Sequence, residues 1–437
     1  MKAIKYSTLM VILITSFAAA ATSQNPKNII MIIVDGGGRN HIQAANYYSS
    51  GKKSAQKFEK FPVQLSVTTF PYGSSYDSKK AVKDFGYVKD GYTDSAAAST
   101  ALATGIKTNR GSIGVDHKDK KIENVIEKCE KLGMATGVVT TVPYYHATPA
   151  GFSVHDDSRN DYVEIAEKMI NESALEVIFG CGNPLYDNNG NKLSSPEKKW
   201  MQMWSPLAAD AAGADADDDG TPDKWTLIQS KQEFVSLMEG PTPKRVCGVP
   251  ETAETLQQKR SGKSRVPFDV PLNENVPNLS EMSLAALNVL DDDPDGFFVM
   301  IEAGAVDWAS HGNERTRMIE EMMDFYSAAD AVINWVETKS NWNDTLLIIT
   351  ADHQTGYLTG PKKKAVVNNG KGKMPSFEWH SGGHTNAPVF LYAKGQGSKN
   401  LTTHIKGKDP VYGNYIDNTD IPKTIFSILE ARKTVSK

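Results

Sequence analysis

The most constraining feature of this 437-residue chain is a set of apolar runs that each end at acidic or histidine side chains. Residues 29–34, 297–301 and 346–350 are almost entirely apolar, which is typical of strands buried on both faces of a sheet. Such strands occur in proteins whose parallel sheet is covered by helices. The sequence therefore predicts an α/β fold with a mostly parallel central sheet flanked by helices on both faces.

The polar residues beside these runs have the chemistry of metal ligands. Ligands of open α/β sheets bind at the carboxyl ends of the strands, so side chains there can converge on one site. A mixed set of imidazoles and carboxylates suits zinc, and an oxygen-rich corner suits magnesium. The candidates are Asp35, Glu302, Asp307, His311, Asp352, His353 and His384, the last just before another strand pattern at residues 388–392.

Each of these segments alone has an ordinary structural alternative. The glycine-rich segment after Asp35 and the Asp352-His353 pair are also typical of turns and strand-end caps. Asp307 and His311 lie one helical turn apart and can share an ion, but a solvated helix face has the same spacing. The joint occurrence of all these segments favours a metal site over the structural alternatives. Among the other histidines, His41, His117, His380 and His404 are interpreted as structural, and His155 is left undecided.

A run of small residues places one serine at a predicted helix start. Asp94 and Ser95 suit capping, and the alanines that follow suit a tightly packed helix. Exposed amides and the helix dipole at such an N-terminus hold anions such as phosphate. Ser95 is therefore a candidate nucleophile, although a plain N-cap before an alanine-rich helix is the alternative.

Seven spaced segments occur together in the order found in one family, and the chain resembles an alkaline phosphatase. The resemblance implies an alkaline phosphatase-like α/β domain and hydrolysis of phosphate monoesters. The segments are Asp35 in its Asp-Gly-x-Gly turn, Thr93 to Ala97, Ala147-Thr148-Pro149-Ala150, Arg159, Glu302 to His311, Thr350-Ala351-Asp352-His353, and Gly383-His384-Thr385.

The resemblance assigns these residues to three metal ions. It implies that Asp307, His311 and His384 hold one zinc. A second zinc beside Ser95 would be held by Asp35, Asp352 and His353, and Asp35 would bridge to a third ion, usually magnesium, that Thr148 and Glu302 complete.

The residue types fit the reaction that the resemblance implies. A phosphate monoester dianion repels an anionic nucleophile, and two zinc ions would neutralise its charge. The planar fork of Arg159 matches two phosphoryl oxygens better than the point charge of a lysine. Small-molecule phosphate monoesters would thus be hydrolysed through a phosphoserine at Ser95.

Two positions depart from the enterobacterial form of the pattern. His146 stands where that form has an aspartate near the third metal, and Trp308 stands where it has a lysine near the phosphate. Both side chains are expected at the substrate, and the identity of the third metal stays open. Loss of the lysine removes a phosphate contact, so product is expected to bind less tightly.

The N-terminal pattern predicts export. Lys2 and Lys5 precede an apolar run at residues 9–21, which is typical of a signal peptide that is removed near Ala21. The run is short for a membrane span, and no later stretch is longer, so the sequence predicts a secreted or periplasmic protein that does not bind membranes.

The organisation is predicted as a signal peptide at residues 1–21 and one catalytic domain at 22–437. A polar insertion at about 183–277 interrupts the domain. The formal net charge is −4, and loss of Lys2 and Lys5 lowers it by two to −6, so nucleic acid is not expected as a specific partner. Most family members are homodimers, and whether this chain dimerises stays open.

Three cysteines allow at most one disulfide. A Cys181–Cys247 bridge is predicted. Cys129 lies in an amphipathic helix pattern at residues 122–132, where a buried free thiol is expected.

The insertion also contains a segment that resembles a calcium loop. Asp215, Asp217, Asp219 and Asp223 occupy the first, third, fifth and ninth positions, and Gly220 occupies the sixth. Thr226 replaces the bidentate glutamate of the twelfth position, so Ca²⁺ binding would be weak. A solvated acidic turn is the alternative.

Three functions are weighed, and the phosphomonoesterase is favoured. The second is a phosphodiesterase or sulfatase of the same superfamily, but the segment after Ser95 lacks the proline and arginine that a sulfatase requires. The third is a secreted metal- or phosphate-binding protein without turnover, which has no use for a nucleophile beside two metals.

Overall fold

The computed structural model describes residues 25–215 and 220–433. The predicted signal peptide and two predicted calcium ligands, Asp217 and Asp219, lie outside the described residues. No helix within the described ranges is both long and apolar enough to cross a membrane.

Within the described residues, eleven strands form one central sheet, and two more form a separate two-stranded antiparallel sheet. Their bounds are β1 (Asn28–Val34), β2 (Val63–Thr68), β3 (Ala135–Pro143), β4 (Val177–Cys181), β5 (Thr226–Ile228), β6 (Val246–Gly248), β7 (Phe297–Ala303), β8 (Thr345–Thr350), β9 (Gln354–Thr355), β10 (His384–Thr385), β11 (Val389–Gly395), β12 (Gly407–Asp409) and β13 (Gly413–Asp417).

The sheet order is β12-β13-β2-β11-β8-β1-β7-β3-β4-β6-β5, and only β11 and β12 of these described strands run against the others. The predicted fold class is confirmed. Because β11 is antiparallel to β8, its beginning lies at the edge where β1, β7 and β8 end. His384 precedes β11 and reaches that same edge for this reason.

Register aligns the polar residues that follow the central strands. Ile33 of β1 pairs with Glu302 of β7 on one side and with Thr350 of β8 on the other. Asp35 and Asp352, each two residues further along, therefore lie beside Glu302 at the end of the sheet.

The helices pack against the sheet in two groups, with α1, α9 and α11 in one and α3, α4, α5 and α12 in the other. Their bounds are α1 (Arg39–Ser50), α2 (Ser78–Lys83), α3 (Ser95–Thr104), α4 (Val125–Glu130), α5 (Ala147–Ser153), α6 (Tyr162–Asn171), α7 (Lys198–Ala208), α8 (Lys231–Ser236), α9 (Leu279–Leu290), α10 (Ala305–His311), α11 (Arg315–Thr338) and α12 (Asp420–Lys433).

The core is densest where α3 and α5 meet. Every residue of α3 is buried, and Gly151 of α5 faces Ser99 so closely that an added Cβ would lie 2.1 Å from the serine Oγ. The Ser99 hydroxyl donates to the carbonyl of Ala147 at 3.0 Å. These contacts fix Thr148 on α5 relative to Ser95 on α3.

Residues 183–277 are joined to the sheet. They supply β5 and β6, which extend it beyond β4, although each strand has only three residues. Arg245 beside β6 is 2% exposed, stacks on Trp225 at 3.9 Å, and donates hydrogen bonds to the carbonyls of Leu175 and Ser173. A buried cation thus anchors the segment to the core.

The predicted Cys181–Cys247 disulfide is wrong, since all three cysteines are free and buried. Cys247 pairs across the sheet with Ile178, three residues before Cys181, which corresponds to about 10 Å along a strand. Bridged cysteines need Cα atoms within about 7 Å. The expectation for Cys129 is confirmed, because it is a buried free thiol on α4.

Candidate active site

Ser95 is the first residue of α3, as the sequence predicts, and Asp94 is its N-cap. The Asp94 carboxylate accepts hydrogen bonds from the amides of Ala97 and Gly111. Ser95 is only 2% exposed, and its Oγ lies 3.2 Å from Nε2 of His353. The serine hydroxyl therefore faces the side chains at the end of the sheet.

Asp35, Asp352 and His353 form one cluster of fully buried side chains. Nε2 of His353 lies 3.0 Å from Oδ2 of Asp352 and 3.5 Å from Oδ1 of Asp35. The second Asp352 oxygen accepts hydrogen bonds from the amides of Gly36 and His353. Backbone amides thus orient the carboxylate.

Only glycine fits at Gly36. Its φ is +69°, and an added Cβ would lie 2.7 Å from Cα of Asp307. The turn after Asp35 can therefore pack directly against the segment that carries the neighbouring cluster.

Asp307, His311 and His384 form that neighbouring cluster. Nε2 of His311 lies 3.3 Å from Asp307 and 3.0 Å from Nε2 of His384. The Nδ1 atoms face the carbonyls of Gly382 and Thr93, at 2.7 Å and 2.8 Å. Because Nδ1–H donates to a carbonyl, the neutral form of each ring has its Nε2 lone pair available for a shared ligand.

The pKa values of several side chains in the two clusters are shifted from their usual values. Burial and the neighbouring carboxylates raise the pKa of Asp35 well above its usual value, and burial likewise raises that of Asp352. Burial opposes ionisation of Asp307 as well, but the hydrogen bond from His311 and the charges of the three nearby histidines together outweigh it and lower the Asp307 pKa. Burial alone would lower the pKa of His311, yet Asp307 raises it to about 9.

An oxygen-rich corner adjoins Asp35. Glu302 and Thr148 are fully buried there, and the hydroxyl of Thr140 donates to Oε2 of Glu302. Burial raises the pKa of Glu302 to about 7, even though the neighbouring hydroxyls oppose the shift. The corner offers only hard oxygen ligands.

Arg159 crosses the mouth of the cavity. Its Nη1 lies 3.0 Å from Oδ2 of Asp94, and its Nη2 lies 3.3 Å from Nε2 of His146. Burial and the adjacent guanidinium lower the pKa of His146 to about 3, so its ring is neutral. His146 and Trp308 pack edge to face, with ring centroids 5.5 Å apart.

Four further residues line the cavity that the sequence did not indicate. The cavity has a volume of about 590 Å³, and Ser95, Arg159 and Trp308 line it. Three of the four come from the insertion, and nothing in their local sequence marks them. They are Arg110, Glu254, Gln258 and Lys259.

Four of the remaining histidines make structural contacts. His155 lies 2.6 Å from the carbonyl of Gly114 and 2.8 Å from Glu127, which holds the segment that leads to Arg159. His41 accepts a hydrogen bond from the amide of Gly38 at the start of α1. His117 stacks on Tyr72, and His380 lies 2.7 Å from the hydroxyl of Thr359.

Only part of the predicted calcium loop lies within the described residues. Oδ2 of Asp215 accepts a hydrogen bond from the amide of Gly220, and Asp223 pairs with Lys244 at 2.9 Å. The site stays a prediction.

The donor atoms fit divalent cations. Within the described residues, several fully buried oxygens in the two clusters and the corner have no hydrogen-bond partner. A buried polar atom without a partner is costly, and a bound cation would relieve that cost. They are both carboxylate oxygens of Asp35, Oδ2 of Asp352, Oε1 of Glu302 and Oγ1 of Thr148.

The fold and this set of side chains place the chain among α/β proteins with a metal-ligand cluster at the end of the sheet. The family model described as Alkaline phosphatase matches residues 26–375. Alkaline phosphatase 3 of Bacillus subtilis is 26% identical over 410 residues, which cover 77% of each chain. Alkaline phosphatase 4 of the same organism is 30% identical over 61% of this chain and 50% of its own.

Solved structures share the fold. Alkaline phosphatase from the Antarctic bacterium TAB5 aligns with a TM-score of 0.62 at 24% identity and covers 93% of this chain and 99% of its own. The Thermus thermophilus enzyme has a TM-score of 0.67 at 20% identity and covers 96% of both chains. The chain belongs to the alkaline phosphatase family and is an enzyme, a phosphoric monoester hydrolase.

Proposed function

We propose that the chain hydrolyses small-molecule phosphate monoesters through a phosphoserine formed at Ser95. The observation that carries this proposal is the position of the Ser95 Oγ, which lies 3.2 Å from His353. Ser95 also lines the cavity together with Asp307, His311 and His384. A hydroxyl at a helix N-terminus, next to oxygens and imidazoles that can bind divalent cations, is suited to nucleophilic attack on phosphorus.

The residues sort into three candidate metal positions. Asp307, His311 and His384 would hold one zinc. Asp35, Asp352 and His353 would hold a second zinc next to Ser95. When bound, these ions supply positive charge that activates the nucleophile and stabilises the leaving oxygen.

The third position is the oxygen-rich corner of Asp35, Thr148 and Glu302. Hard oxygen ligands favour magnesium there. A histidine-to-aspartate mutant of the TAB5 alkaline phosphatase has Mg bound in its M3 site. His146 is neutral and 9% exposed, so it can act either as a nitrogen ligand or as a hydrogen-bond partner of the corner.

The protein groups have distinct roles in the proposed reaction. Asp94 holds Arg159 across the cavity, where the planar guanidinium can donate two hydrogen bonds to phosphoryl oxygens. The partial positive charge at the N-terminus of α3, where Ser95 is the first residue, would also favour the phosphoryl oxygens. Trp308 and His146 form the apolar side of the cavity and exclude water from the phosphoryl group.

Two further statements about the whole protein are part of the proposal. The signal-peptide pattern supports a secreted or periplasmic location. A homodimer is proposed from the resemblance alone, and light scattering of the purified protein tests it.

Three p-nitrophenyl esters test the reaction type. With zinc and magnesium present, p-nitrophenyl phosphate should be hydrolysed far faster than bis-p-nitrophenyl phosphate or p-nitrophenyl sulfate. A preference for the diester or the sulfate would move the chain to another reaction of the superfamily. No turnover of any ester by folded, metal-loaded protein would favour a binding protein.

Removal of metals tests the ligand assignment. Dialysis against a chelator should abolish activity, zinc should restore most of it, and magnesium should add to zinc without replacing it. Full recovery with magnesium alone would contradict the two histidine sites. Elemental analysis of His146→Asp against the wild type would show whether the imidazole changes the metal content of the third position.

A further inference from the structure

A second cavity adjoins the active site on the side formed by the insertion. Its volume is about 920 Å³, and it lies between residues 258–270 and residues 312–320. Gln258 and Lys259 line both this cavity and the active-site cavity, so the two spaces meet at these side chains. Cavities of about 300–1,000 Å³ hold small organic ligands.

The second cavity is strongly basic in a chain whose formal net charge is −4. Two acidic residues, Glu314 and Glu320, line it. Against these two stand six basic residues, which leave a formal excess of four positive charges. They are Lys259, Arg260, Lys263, Arg265, Arg315 and Arg317.

Several of these basic side chains already have partners within the fold. Glu320 is buried and pairs with Arg260 at 2.9 Å and with Arg317 at 3.0 Å. Both guanidinium groups also donate to carbonyls of residues 257–271 and so hold the wall of the cavity in place. Lys259 pairs with Glu254 at 2.5 Å. These groups shape the cavity but have partners.

Lys263 and Arg265 differ from the others. Both side chains are exposed at the cavity, and neither makes an ion pair with any residue that the structure describes. Arg315 also lacks an ion pair there, but it donates a hydrogen bond to the carbonyl of Phe377 at 2.7 Å. Two cations without counter-ions in a concave surface attract an anion with several oxygens, and an arginine binds a phosphoryl group with two parallel hydrogen bonds.

Gln258 adds a polar group at the junction of the two cavities. The residue is 8% exposed, and its Nε2 donates to Glu314 at 2.8 Å, which fixes the orientation of the amide. Its Oε1 is buried and has no partner among the described residues. A buried acceptor without a partner fits a hydroxyl donor from a ligand.

We propose that the second cavity is a subsite for the alcohol portion of phosphate monoesters that carry a second phosphoryl group and free hydroxyls. The ester phosphoryl lies at Ser95, a hydroxyl of the substrate lies near Gln258, and the second phosphoryl lies against Lys263 and Arg265. The inference rests on the proposed function, because it assigns a substrate class to the same active site.

Matched substrates test the subsite. The wild type should have a kcat/KM at least about tenfold higher for glucose 1,6-bisphosphate than for glucose 6-phosphate, the size expected for one or two charge-assisted hydrogen bonds. Lys263→Met/Arg265→Met should lose most of this preference. Its kcat/KM for p-nitrophenyl phosphate should stay within about twofold of the wild type, since these exposed side chains do not line the active-site cavity.

A second double variant controls for general electrostatics. Lys399→Met/Lys408→Met removes the same charge from exposed lysines near β12, outside both cavities, and should keep the preference. Equal losses in the two double variants would overturn the subsite, because they would show long-range attraction only. Both variants replace exposed residues, and unchanged melting temperatures verify that they fold.

The remaining outcomes distinguish failure of the proposed subsite from failure of the proposed function. Hydrolysis of p-nitrophenyl phosphate without any preference for the bisphosphate would overturn the subsite and leave the proposed function intact. No hydrolysis of either class would instead contradict the proposed function. A change in oligomeric state by light scattering, with selectivity unchanged, would show that the basic cavity is an interface between copies of the chain and would also overturn the subsite.

Discussion

The floor and the wall of the active-site cavity are built in different ways. The floor is the end of the central sheet, where Asp35, Glu302 and Asp352 are each 0% exposed and are held in register by paired strands. The wall comes from the insertion, where the side chains of Glu254 and Lys259 are 42% and 39% exposed. The floor is buried and carries candidate metal ligands, whereas these wall residues are partly solvated and are not among the candidate ligands.

This difference separates the reaction from its selectivity. Residues of the floor would act on the phosphoryl group that every substrate shares, because they would hold the metal ions next to Ser95 and Arg159, which line the cavity. Residues of the wall can touch only the alcohol portion, which differs between substrates. Substitutions in the floor should therefore slow the hydrolysis of all substrates alike. Substitutions in the wall should instead change the order in which substrates are preferred.

The largest effect is expected for Ser95→Ala. Loss of the nucleophile should lower kcat by about 10³-fold or more and leave the melting temperature nearly unchanged, because the side chain makes one hydrogen bond at most. Stopped assays with p-nitrophenyl phosphate measure this change.

Ser99→Ala is the matched control for that variant. Ser99 lies on the same helix and is also buried, but its hydroxyl donates to carbonyls of α3 and α5. Its replacement should cost about 1 kcal/mol of stability and keep kcat within a few-fold. A similar loss of kcat in both variants would mean that helix packing, not the nucleophile, explains the first result.

Arg159→Lys should have the next largest effect. The lysine keeps the charge but loses the two-pronged geometry, so kcat/KM should fall by about 10- to 100-fold for all monoesters. A fall that differs greatly between p-nitrophenyl phosphate and sugar phosphates would contradict its place at the shared phosphoryl group.

The pH dependence of stability should report on the floor. In metal-free protein the pKa of Glu302 is raised to about 7, so the folded state binds more protons than the unfolded state between about pH 4.5 and 7. Stability of the metal-free protein should therefore fall as pH rises through this window. Melting curves of Glu302→Gln should show a smaller fall, and an identical fall would contradict the buried carboxylate.

The smallest effect on activity is expected in the insertion. Arg245→Met removes buried hydrogen bonds to the carbonyls of Leu175, Asp223 and Ser173, and it should cost about 2–4 kcal/mol of stability. The kcat for p-nitrophenyl phosphate should stay within about twofold. A large loss of kcat at temperatures where the variant is folded would mean that floor and wall are coupled.

The sequence predicted the floor because two simple signals coincide there. Uninterrupted apolar runs such as residues 29–34 mark central strands, and a strand end in a parallel sheet fixes where Asp35 and Asp352 must lie. The N-cap pattern at Asp94 likewise predicted the start of α3. Each signal depends only on residues that are close in sequence, so it can be recognised without knowledge of the tertiary structure.

The sequence did not predict the wall, for a physical reason. β5 and β6 have three residues each, which is too short for a periodic pattern, and their pairing depends on β4. Without that pairing the relative position of Cys181 and Cys247 was undetermined, and the predicted disulfide was wrong. Gln258 and Lys259 reach the cavity only through the fold of the insertion.

The most direct test of the account is the detection of phosphate on Ser95 itself. Metal-loaded enzyme that is turning over p-nitrophenyl phosphate is quenched in acid, digested and analysed by mass spectrometry. The peptide that contains Ser95 should gain the mass of one phosphoryl group, and the Ser95→Ala peptide should gain none. Steady turnover without phosphate on Ser95, together with more than about a tenth of wild-type kcat in Ser95→Ala, would contradict the account.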